Sequence, residues 1–481
     1  MFQKTSIMSY TRKIAHNTVI QIAGKAVSTL IGIVVIGMLT RYLGQAGFGQ
    51  YTTVMAFLQF FGVLVDLGLY VILVKRIAEP GADREQLASN IFTLRLVSAI
   101  VFLGIAPLVA MLFPYPGLVK VGIAITTLSY LGITLNQALS GVFQWAMRMD
   151  RVVTAEVVGR IVLVGSTYFA IRTDAGLLWV LAAVVAGSLV NFALTFLFSR
   201  PLVRIRLAFD AAVWRSIIRE AWPIALSIAF NLVYFKADTI ILSLYKSEAV
   251  VGVYGASYKV LEVLTTLPAM FAGLVLPLLA STWAAGDRER FRRVLGKAFD
   301  AMAMVALPLA VGTMFLATPV MNLIAPSFTD AAVVLRILIV ATAIIFIGNL
   351  FGNTVVAINR QKTMMWLYLA VAVVSLAGYL FFIPRYSYYG AAGMTVASEL
   401  LVTVSAALIV LRTARVRLPL TTFGKSLLSC AAMAAVLYLL RSTNIAILLA
   451  AGTMTYGLVM VATGGLSREV LREVFSRQQP Q

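Results

Sequence analysis

Eight of the ionisable side chains inside long apolar runs of this sequence, where a charge is costly, are candidates for a functional role. They comprise four cations and four acids: Lys25, Lys236, Lys259 and Arg336, and Asp66, Asp238, Glu262 and Glu399. If the runs cross a membrane, a charge near the bilayer centre costs at least about 2.5 kcal/mol, so each one needs a partner or a function. Lysine and arginine at such depth suit an anionic ligand, above all a phosphate or pyrophosphate. The acids can hold those cations in place or bind a coupling proton or sodium ion.

The depth of each cation within its run indicates whether it can reach water. Lys25 lies about nine residues, roughly 13 Å, from the inner end of the first run, and a lysine side chain covers only part of that distance. Lys236 is as far from the outer end of its run, so both are expected to face a cavity. Arg336 lies only five residues inside its run, where reaching outward to the interface is at least as compatible with the sequence as a site role.

The acids and the remaining lysine need partners. Asp66 and Asp238 have short side chains that cannot reach the interface, so each requires a cation, a hydrogen-bond donor or a proton. Lys259 and Glu262 are spaced i, i+3 on one helical face, which fits an internal ion pair as well as a ligand site. Glu399 lies about nine residues deep in its run, and both roles remain open for it too.

These residues are set in a strongly apolar chain. Of its 481 residues 61% are hydrophobic and 12% are charged, with a mean hydropathy of +0.94, whereas soluble domains average about half and about a quarter. The formal net charge of +20 would suggest nucleic acid for a soluble protein, but here the basic residues fall in short connections between apolar runs. The sequence therefore predicts a polytopic membrane protein that binds no nucleic acid.

The apolar runs have the length of membrane-spanning helices. Spanning about 30 Å of hydrocarbon takes about 20 helical residues, and the runs are continuous rather than alternating in polarity, which favours helices over strands. We identify fourteen, at 17–40, 51–74, 91–113, 121–143, 152–171, 177–198, 221–245, 249–280, 298–318, 331–357, 365–383, 390–411, 424–440 and 444–463. The expected fold is an all-α bundle of about fourteen transmembrane helices. The first two are expected to meet in a tight turn at Gly44, Gly47 and Gly49.

Alternate connections between the runs differ in charge. If the N-terminus is cytoplasmic, the inner segments hold most of the 39 lysine and arginine residues. Arg84 and Arg95 are counted with the inner segment that follows the second run, although Arg95 lies near the start of the third run. This bias follows the positive-inside rule and predicts that both termini lie in the cytoplasm. The longest inner connections, 199–220 and 281–297, are basic and carry aromatic residues. Amphipathic helices on the cytoplasmic leaflet and solvated linkers both fit them.

The chain also repeats a ten-residue block. YLGQAGFGQY, from Tyr42 to Tyr51, aligns without gaps on YKSEAVVGVY, from Tyr245 to Tyr254, with both tyrosines, an alanine and a glycine in common. Each block joins the first two runs of a six-run unit, so runs 1–6 and 7–12 are expected to be parallel repeats. The predicted organisation is an N-lobe (1–206), a C-lobe (207–413), and two further helices with a cytoplasmic tail (414–481).

Recognisable catalytic and metal-binding patterns are missing from the sequence. There is no Walker A loop, and the single histidine and single cysteine, Cys430, make neither a disulfide nor a zinc or Cys–His centre. A membrane glycosyltransferase or polymerase would need a larger, acidic outer loop than the short ones here. We therefore expect no enzyme activity, no metal and no cofactor beyond a coupling proton or sodium ion. The profile is that of a secondary transporter.

Five segments of the chain carry a family resemblance. They are the opening stretch Asn17–Tyr51, DLGL at Asp66–Leu69 with VKRIA at Val74–Ala78, the Lys236-Ala-Asp238 step, VGVYGASYK at Val251–Lys259 and YGAAGMTVASE at Tyr389–Glu399. In their order and spacing along nearly the whole chain, these segments resemble polysaccharide flippases of the Wzx type. Those proteins belong to the multidrug/oligosaccharidyl-lipid/polysaccharide exporter superfamily.

The resemblance implies two six-helix lobes flanking a central cavity, with two extra helices beside them. It implies movement of a polyprenyl-pyrophosphate-linked oligosaccharide from the inner to the outer leaflet of the cytoplasmic membrane, for cell-surface polysaccharide synthesis. The carrier lipid would lie along a groove near the extra helices, and a polysaccharide polymerase and assembly proteins are the implied partners. The residues carried over for the pyrophosphate are Lys25, Lys236 and Lys259, with Arg336 weaker. Those carried over for charge pairing or coupling are Asp66, Asp238, Glu262 and Glu399.

Two relatives and a protein without transport activity are the alternatives. The flippase of the peptidoglycan lipid precursor usually has several cavity arginines and a Ser-Arg start to its first helix, whereas here Ala23 and Gly24 precede Lys25. A multidrug or organic-cation antiporter of the superfamily typically has twelve helices and a net acidic site, which fourteen runs and four buried cations disfavour. A scaffold protein of an assembly complex would have all of its buried charges paired.

Overall fold

The computed structural model describes residues 2–66, 68–79, 81–416 and 418–465, with side chains described at Asn17 and from Ile20 onward, except at position 223. Within these ranges the chain forms thirteen α-helices, as expected where backbone groups have no water to bond. Their bounds are α1 (Phe2–Asp66), α2 (Leu69–Ile77), α3 (Arg84–Met111), α4 (Gly117–Trp145), α5 (Met149–Arg172), α6 (Leu177–Ser199), α7 (Ala211–Tyr245), α8 (Glu248–Ala284), α9 (Arg288–Ile324), α10 (Ala331–Ala357), α11 (Gln361–Ala414), α12 (Thr421–Leu439) and α13 (Ile445–Ala462).

The predicted all-α transmembrane architecture is confirmed. Among the described residues, twelve helical stretches are long and apolar enough to cross a membrane. Two of them contain a sharp break, at Gly44 (φ 63°, ψ −171°) in α1 and at Ser387 (φ 55°, ψ −138°) in α11. Each half of these two helices is itself of spanning length, so the described chain holds the fourteen spanning pieces that the sequence predicts.

The break between the first two spans involves one glycine. Gly47 and Gly49 lie within helix, and Gly44 alone interrupts it, because its positive φ suits a residue without a Cβ atom. The second predicted span, 51–74, is itself interrupted. Here α1 ends at Asp66 and α2 begins after Gly68, which is left-handed (φ 73°).

The two long inner connections do not form separate helices. Between α6 and α7 the chain is extended as far as Asp210, and α7 then continues from Ala211 into the membrane span. The carboxylate of Asp210 caps α7 by accepting the backbone N–H groups of Ala212 and Val213. The second connection shrinks to a turn around Gly286, because α8 and α9 both extend into it. Neither connection forms a separate surface helix, since the helical part of the first belongs to α7 and that of the second to α8 and α9.

The chain divides into two compact units, the first ending at Gly255 and the second beginning at Ala256. In the first unit, α2, α3 and α7 share an apolar core that includes Leu73, Ile91 and Ile217. In the second unit, α9, α12 and α13 pack around Leu316, Cys430 and Leu448. The proposed lobes, 1–206 and 207–413, stay a prediction.

The two repeated blocks pack directly against each other within the first unit. A Cβ atom on Gly49 would overlap the carbonyl oxygen of Glu248, and one on Gly252 would overlap the carbonyl oxygen of Gln45. Gly49 aligns with Gly252 in the repeat, and Gln45 aligns with Glu248, so the contact is reciprocal. Glycines four residues from the facing carbonyls let two helices approach closely, as small residues do in membrane bundles. The side chain of Gln50 adds a 2.7 Å hydrogen bond to Glu248.

We predict that Gly49→Ala and Gly252→Ala each destabilise the protein. The added methyl group meets a backbone carbonyl, which cannot rotate away, and overpacking of this kind costs about 1–3 kcal/mol. Gly32→Ala is the matched control, because a Cβ atom there has no neighbour within 4 Å and alanine favours helix by about 0.5–1 kcal/mol. Thermal unfolding of the purified variants measures the difference. Equal unfolding temperatures for all three would contradict the reciprocal contact.

Candidate functional site

Asp66 has a cation partner that the sequence did not reveal. It ends α1, where the unbonded carbonyl groups of the helix add partial negative charge. A guanidinium nitrogen of Arg95, Nη2, lies 2.7 Å from the Asp66 carboxylate and donates to the side-chain oxygen of Gln137 at 2.6 Å. Arg95 is fully buried, whereas Asp66 is about one-fifth exposed. Asp66 therefore shields the cation from the accessible side.

The expectation that Arg95 belongs to an inner basic segment is wrong, because α3 begins at Arg84, ahead of the predicted run 91–113. Arg95 is therefore about 16 Å along the helix, at 1.5 Å per residue. A capping signal marks this earlier start, since Asp83 accepts the backbone N–H of Gln86 and the sequence reads Asp-x-x-Gln. That signal could have placed Arg95 within the membrane span.

The cluster around Arg95 keeps unused hydrogen-bonding capacity. The Nε and Nη1 groups of Arg95 and the side-chain oxygen of Asn136 are buried and have no hydrogen-bond partner among the described residues. Buried polar groups of this kind are generally satisfied by ordered water. The cluster of Asp66, Arg95, Asn136 and Gln137 is therefore a polar core in the first unit, with one ion pair at its centre.

Asp238 is also neutralised where it lies. Its side chain is fully buried and accepts the Tyr254 hydroxyl at 2.5 Å, together with the backbone N–H and hydroxyl of Thr239 at 2.5 and 3.1 Å. Lys236, which is 5% exposed, contributes positive charge nearby, and its ammonium lies 5.5 Å from the centre of the Phe235 ring. Tyr254 closes the second repeated block, so the glycine contact that seats this block also positions the donor to Asp238.

In the second unit, the i, i+3 pair forms an ion pair. The Lys259 ammonium lies 2.7 Å from the Glu262 carboxylate, and both side chains are between a quarter and a third exposed. Arg336 is exposed and donates to the carbonyl oxygen of Met314 and to the Thr318 hydroxyl, at 3.1 and 3.0 Å. It therefore links α10 to α9 by hydrogen bonds to backbone and side chain.

Glu399 and Lys25 differ from the other six. Glu399 is 5% exposed, and no described cation forms an ion pair with it; the phenol of Tyr368 interacts with its charge. Lys25 is exposed and makes no ion pair or hydrogen bond to a described residue. Its neighbour Gly24 packs against Val153 of α5, where a Cβ atom would overlap the valine side chain. The helix thus packs through Gly24 and leaves Lys25 accessible.

A second charge cluster joins α2 to the beginning of α7. The carboxylate of Glu220 lies 2.5 Å from the Lys75 ammonium and 2.7 Å from the Arg76 guanidinium, which also donates to the hydroxyl of Ser216. The hydrogen bonds from Lys75 and Arg76 hold the pKa of Glu220 below its usual range. These three charges therefore act as a structural clasp.

Comparison with protein families and with known proteins identifies relatives of this chain. The model of a family described as polysaccharide biosynthesis protein matches residues 14–283, more than half of the chain. This chain belongs to that polysaccharide biosynthesis protein family. A second family model, MatE, matches residues 223–380.

Among curated proteins, this chain is similar to the "Probable flippase AglR" of Haloferax volcanii. The two are 21% identical over 253 residues, which cover 50% of this chain and 53% of the relative. The chain therefore matches about half the length of that protein.

Solved structures share the fold of this family member. "Lipid II flippase MurJ, inward closed conformation" superposes with a TM-score of 0.75 at 16% identity, covering 94% of this chain and 100% of the other. An inward-facing multidrug resistance MATE family transporter of the MOP superfamily gives 0.66 at 16% identity, over 83% and 97%. At these identities the likeness establishes the fold alone, which is that of the multidrug/oligosaccharidyl-lipid/polysaccharide exporter superfamily.

We predict that Asp66 and Arg95 are energetically coupled in this protein. Asp66→Asn should destabilise it strongly, because a fully buried guanidinium loses its counter-charge, a change that costs about 3–5 kcal/mol in buried pairs. Arg95→Gln should cost less, because Asp66 keeps access to water. The double variant should recover part of the loss, as a thermal-unfolding double-mutant cycle would measure.

Arg172→Gln, which removes an exposed arginine without an ion pair, is the control and should be close to neutral. Strictly additive losses for Asp66 and Arg95 would contradict the coupling.

Proposed function

We propose that this protein is a flippase that moves a polyprenyl-pyrophosphate-linked oligosaccharide from the inner to the outer leaflet of the cytoplasmic membrane. The observation that carries the proposal is the uneven neutralisation of its membrane charges. Asp66, Asp238 and Glu262 are each engaged by a cation or donor of the protein, whereas Lys25 is exposed and forms no ion pair with a described residue. The accessible Lys25 therefore offers a positive charge to a ligand, which suits a pyrophosphate.

Family membership supports the same substrate class. The matching family model is described as polysaccharide biosynthesis protein, and the relative from Haloferax volcanii is called a probable flippase. The basic inner connections suit cytoplasmic termini and an inner-membrane location. A polysaccharide polymerase and assembly proteins would then act on the product at the outer face.

In the proposed cycle, alternating access moves the head group while the lipid tail stays in hydrocarbon. Lys25 and Lys236 neutralise the pyrophosphate, and Lys259 contributes once substrate draws it from Glu262. Arg336 is a weak candidate, since its donors are already used by α9. Rocking of the two lobes would open the site first to one side and then to the other.

Glu399 is our candidate for the coupling residue. A buried carboxylate without a cation is costly, so it favours binding a proton or a sodium ion when it is sequestered from water. Asp66 and Asp238 are less suited to that task, because each carboxylate is already engaged by a cation or by hydrogen-bond donors of the protein. Proton or sodium release from Glu399 on one side of the membrane would drive the return of the empty carrier.

A peptidoglycan precursor flippase is the second candidate, favoured by the full-length superposition on a lipid II flippase structure. The shared chemistry is the polyprenyl pyrophosphate, and the two functions differ in the attached saccharide. A host deleted for this gene separates them, since loss of surface polysaccharide with normal cell-wall synthesis supports the first candidate and the reverse supports the second.

Lys25→Ala and Lys236→Ala are predicted to abolish surface polysaccharide in a complemented deletion host while protein abundance stays unchanged. Each removes a charge-assisted contact with phosphate, a loss of about tenfold or more in binding. Lys25→Arg should keep partial function, and Lys120→Ala, which removes a partly exposed lysine in the first turn of α4, is the matched control. Normal polymer from both alanine variants would overturn the assignment of these lysines.

Glu399→Gln should uncouple flipping from the ion gradient. The amide keeps the size of the side chain but binds no proton, so flipping in proteoliposomes should no longer respond to an imposed proton or sodium gradient. Glu262→Gln is the control, because the Glu262 carboxylate is held by Lys259, and its gradient response should match that of the wild type. A full response from Glu399→Gln would exclude Glu399 as the coupling residue.

A further inference from the structure

The extended segment 204–210, which we call the strap, is fastened to α3 at every second residue. The backbone N–H groups of Arg206, Ala208 and Asp210 donate to side-chain oxygens of Ser89, Thr93 and Asn90, at 3.1, 3.0 and 2.9 Å. The N–H of Arg204 donates to the Glu85 carboxylate at 3.4 Å. An isolated extended segment would leave these groups to water, so α3 fixes the strap in one conformation.

Matching repeat lengths explain this arrangement. Two residues of an extended chain advance about 6.6 Å, and four residues of a helix advance about 6.0 Å. Glu85, Ser89 and Thr93 follow one another at four-residue spacing on one helix face and therefore meet alternate N–H groups of the strap. From residue 203 to residue 206, the side chains also alternate between packed and exposed positions. Val203 is buried and Ile205 packs on the core, whereas both arginines of the strap are exposed.

The strap and the first turns of α7 expose large apolar side chains as well. Leu207 and Phe209 are each 73% exposed, Ile218 is 49% exposed and Trp222 is 53% exposed. Exposed aromatic and aliphatic side chains beside arginines are typical of segments that lie at the boundary between lipid and water. This composition favours an interface with lipid over one with water alone.

The strap and the segments beside it carry five exposed arginines. We call them the basic patch: Arg200, Arg204, Arg206, Arg215 and Arg219. No described acid forms an ion pair with any of them, because the neighbouring acids are used elsewhere. Glu85 accepts from the strap backbone, Asp210 caps α7, and Glu220 is held in its clasp.

We propose that the strap and the basic patch form a preorganised binding surface for anionic phospholipid headgroups of the adjacent leaflet. The arginines contact the phosphates, while Leu207 and Phe209 enter the acyl boundary beside them. Because α3 holds the strap backbone, the arginines do not lose backbone freedom on binding. This favours specific binding of a headgroup over diffuse electrostatic attraction to the membrane surface. This surface serves the protein whatever substrate it carries.

The test measures lipid binding to the full chain in detergent by native mass spectrometry, with phosphatidylglycerol and phosphatidylcholine as probes. Each basic residue near an anionic surface contributes about a fivefold gain in binding at low salt. The double variant Arg204→Gln/Arg206→Gln should therefore weaken phosphatidylglycerol binding by about tenfold or more and leave phosphatidylcholine binding unchanged. Leu207→Ser/Phe209→Ser should weaken both lipids alike.

The matched control, Arg41→Gln/Arg172→Gln, removes two exposed arginines from the opposite end of the first unit. There the Tyr42 hydroxyl accepts the backbone N–H of Gly176 and so joins the start of α6 to the first span. This control should keep the wild-type preference for phosphatidylglycerol. Wild-type phosphatidylglycerol affinity in the strap arginine variant would overturn the proposal. A higher affinity of the strap for polyprenyl pyrophosphate than for phosphatidylglycerol would also overturn the proposal, since that result would assign the surface to the transported lipid.

Discussion

A charge in a hydrocarbon environment has to be neutralised where it lies, and this constraint organises the protein. Arg95 is placed against Asp66 at the point where α1 ends, and Asp238 is enclosed by Tyr254 and Thr239. Each solution draws on different helices, so the charges also fix how those helices pack. The charges that remain available after this internal pairing are the ones that a ligand can use.

Close backbone contact between the two repeated blocks is the second organising feature. Gly49 and Gly252 let the blocks approach until each faces a carbonyl group of the other. The same block ends in Tyr254, which donates to Asp238. The contact that brings the two blocks together thus also positions a buried acid, which gives the short repeat in the sequence a structural meaning.

The sequence predicts those features that depend on local periodicity. Run length identified the spans. The i, i+3 spacing of Lys259 and Glu262 was compatible with the ion pair that they form. Run length missed Arg95, because polar residues at the start of α3 resemble a connection although they are helical. The break at Ser387 falls between the predicted runs 365–383 and 390–411, but the residue that makes it was not identified, since a positive φ at serine has no sequence signal. Gly390 lies in helix and allows close approach to the Phe382 carbonyl. The bonding of Asp238 to Tyr254 depends on packing between helices, which periodicity does not encode.

The central claim is that this member of the polysaccharide biosynthesis protein family carries a lipid-linked pyrophosphate. Direct translocation in proteoliposomes tests it, with the purified chain, a labelled polyprenyl-pyrophosphate oligosaccharide, and a polyprenyl monophosphate and an organic cation for comparison. The account predicts movement of the pyrophosphate-linked lipid between leaflets at a rate well above protein-free vesicles, with little movement of either comparison compound. Export of the organic cation without movement of the lipid would contradict it.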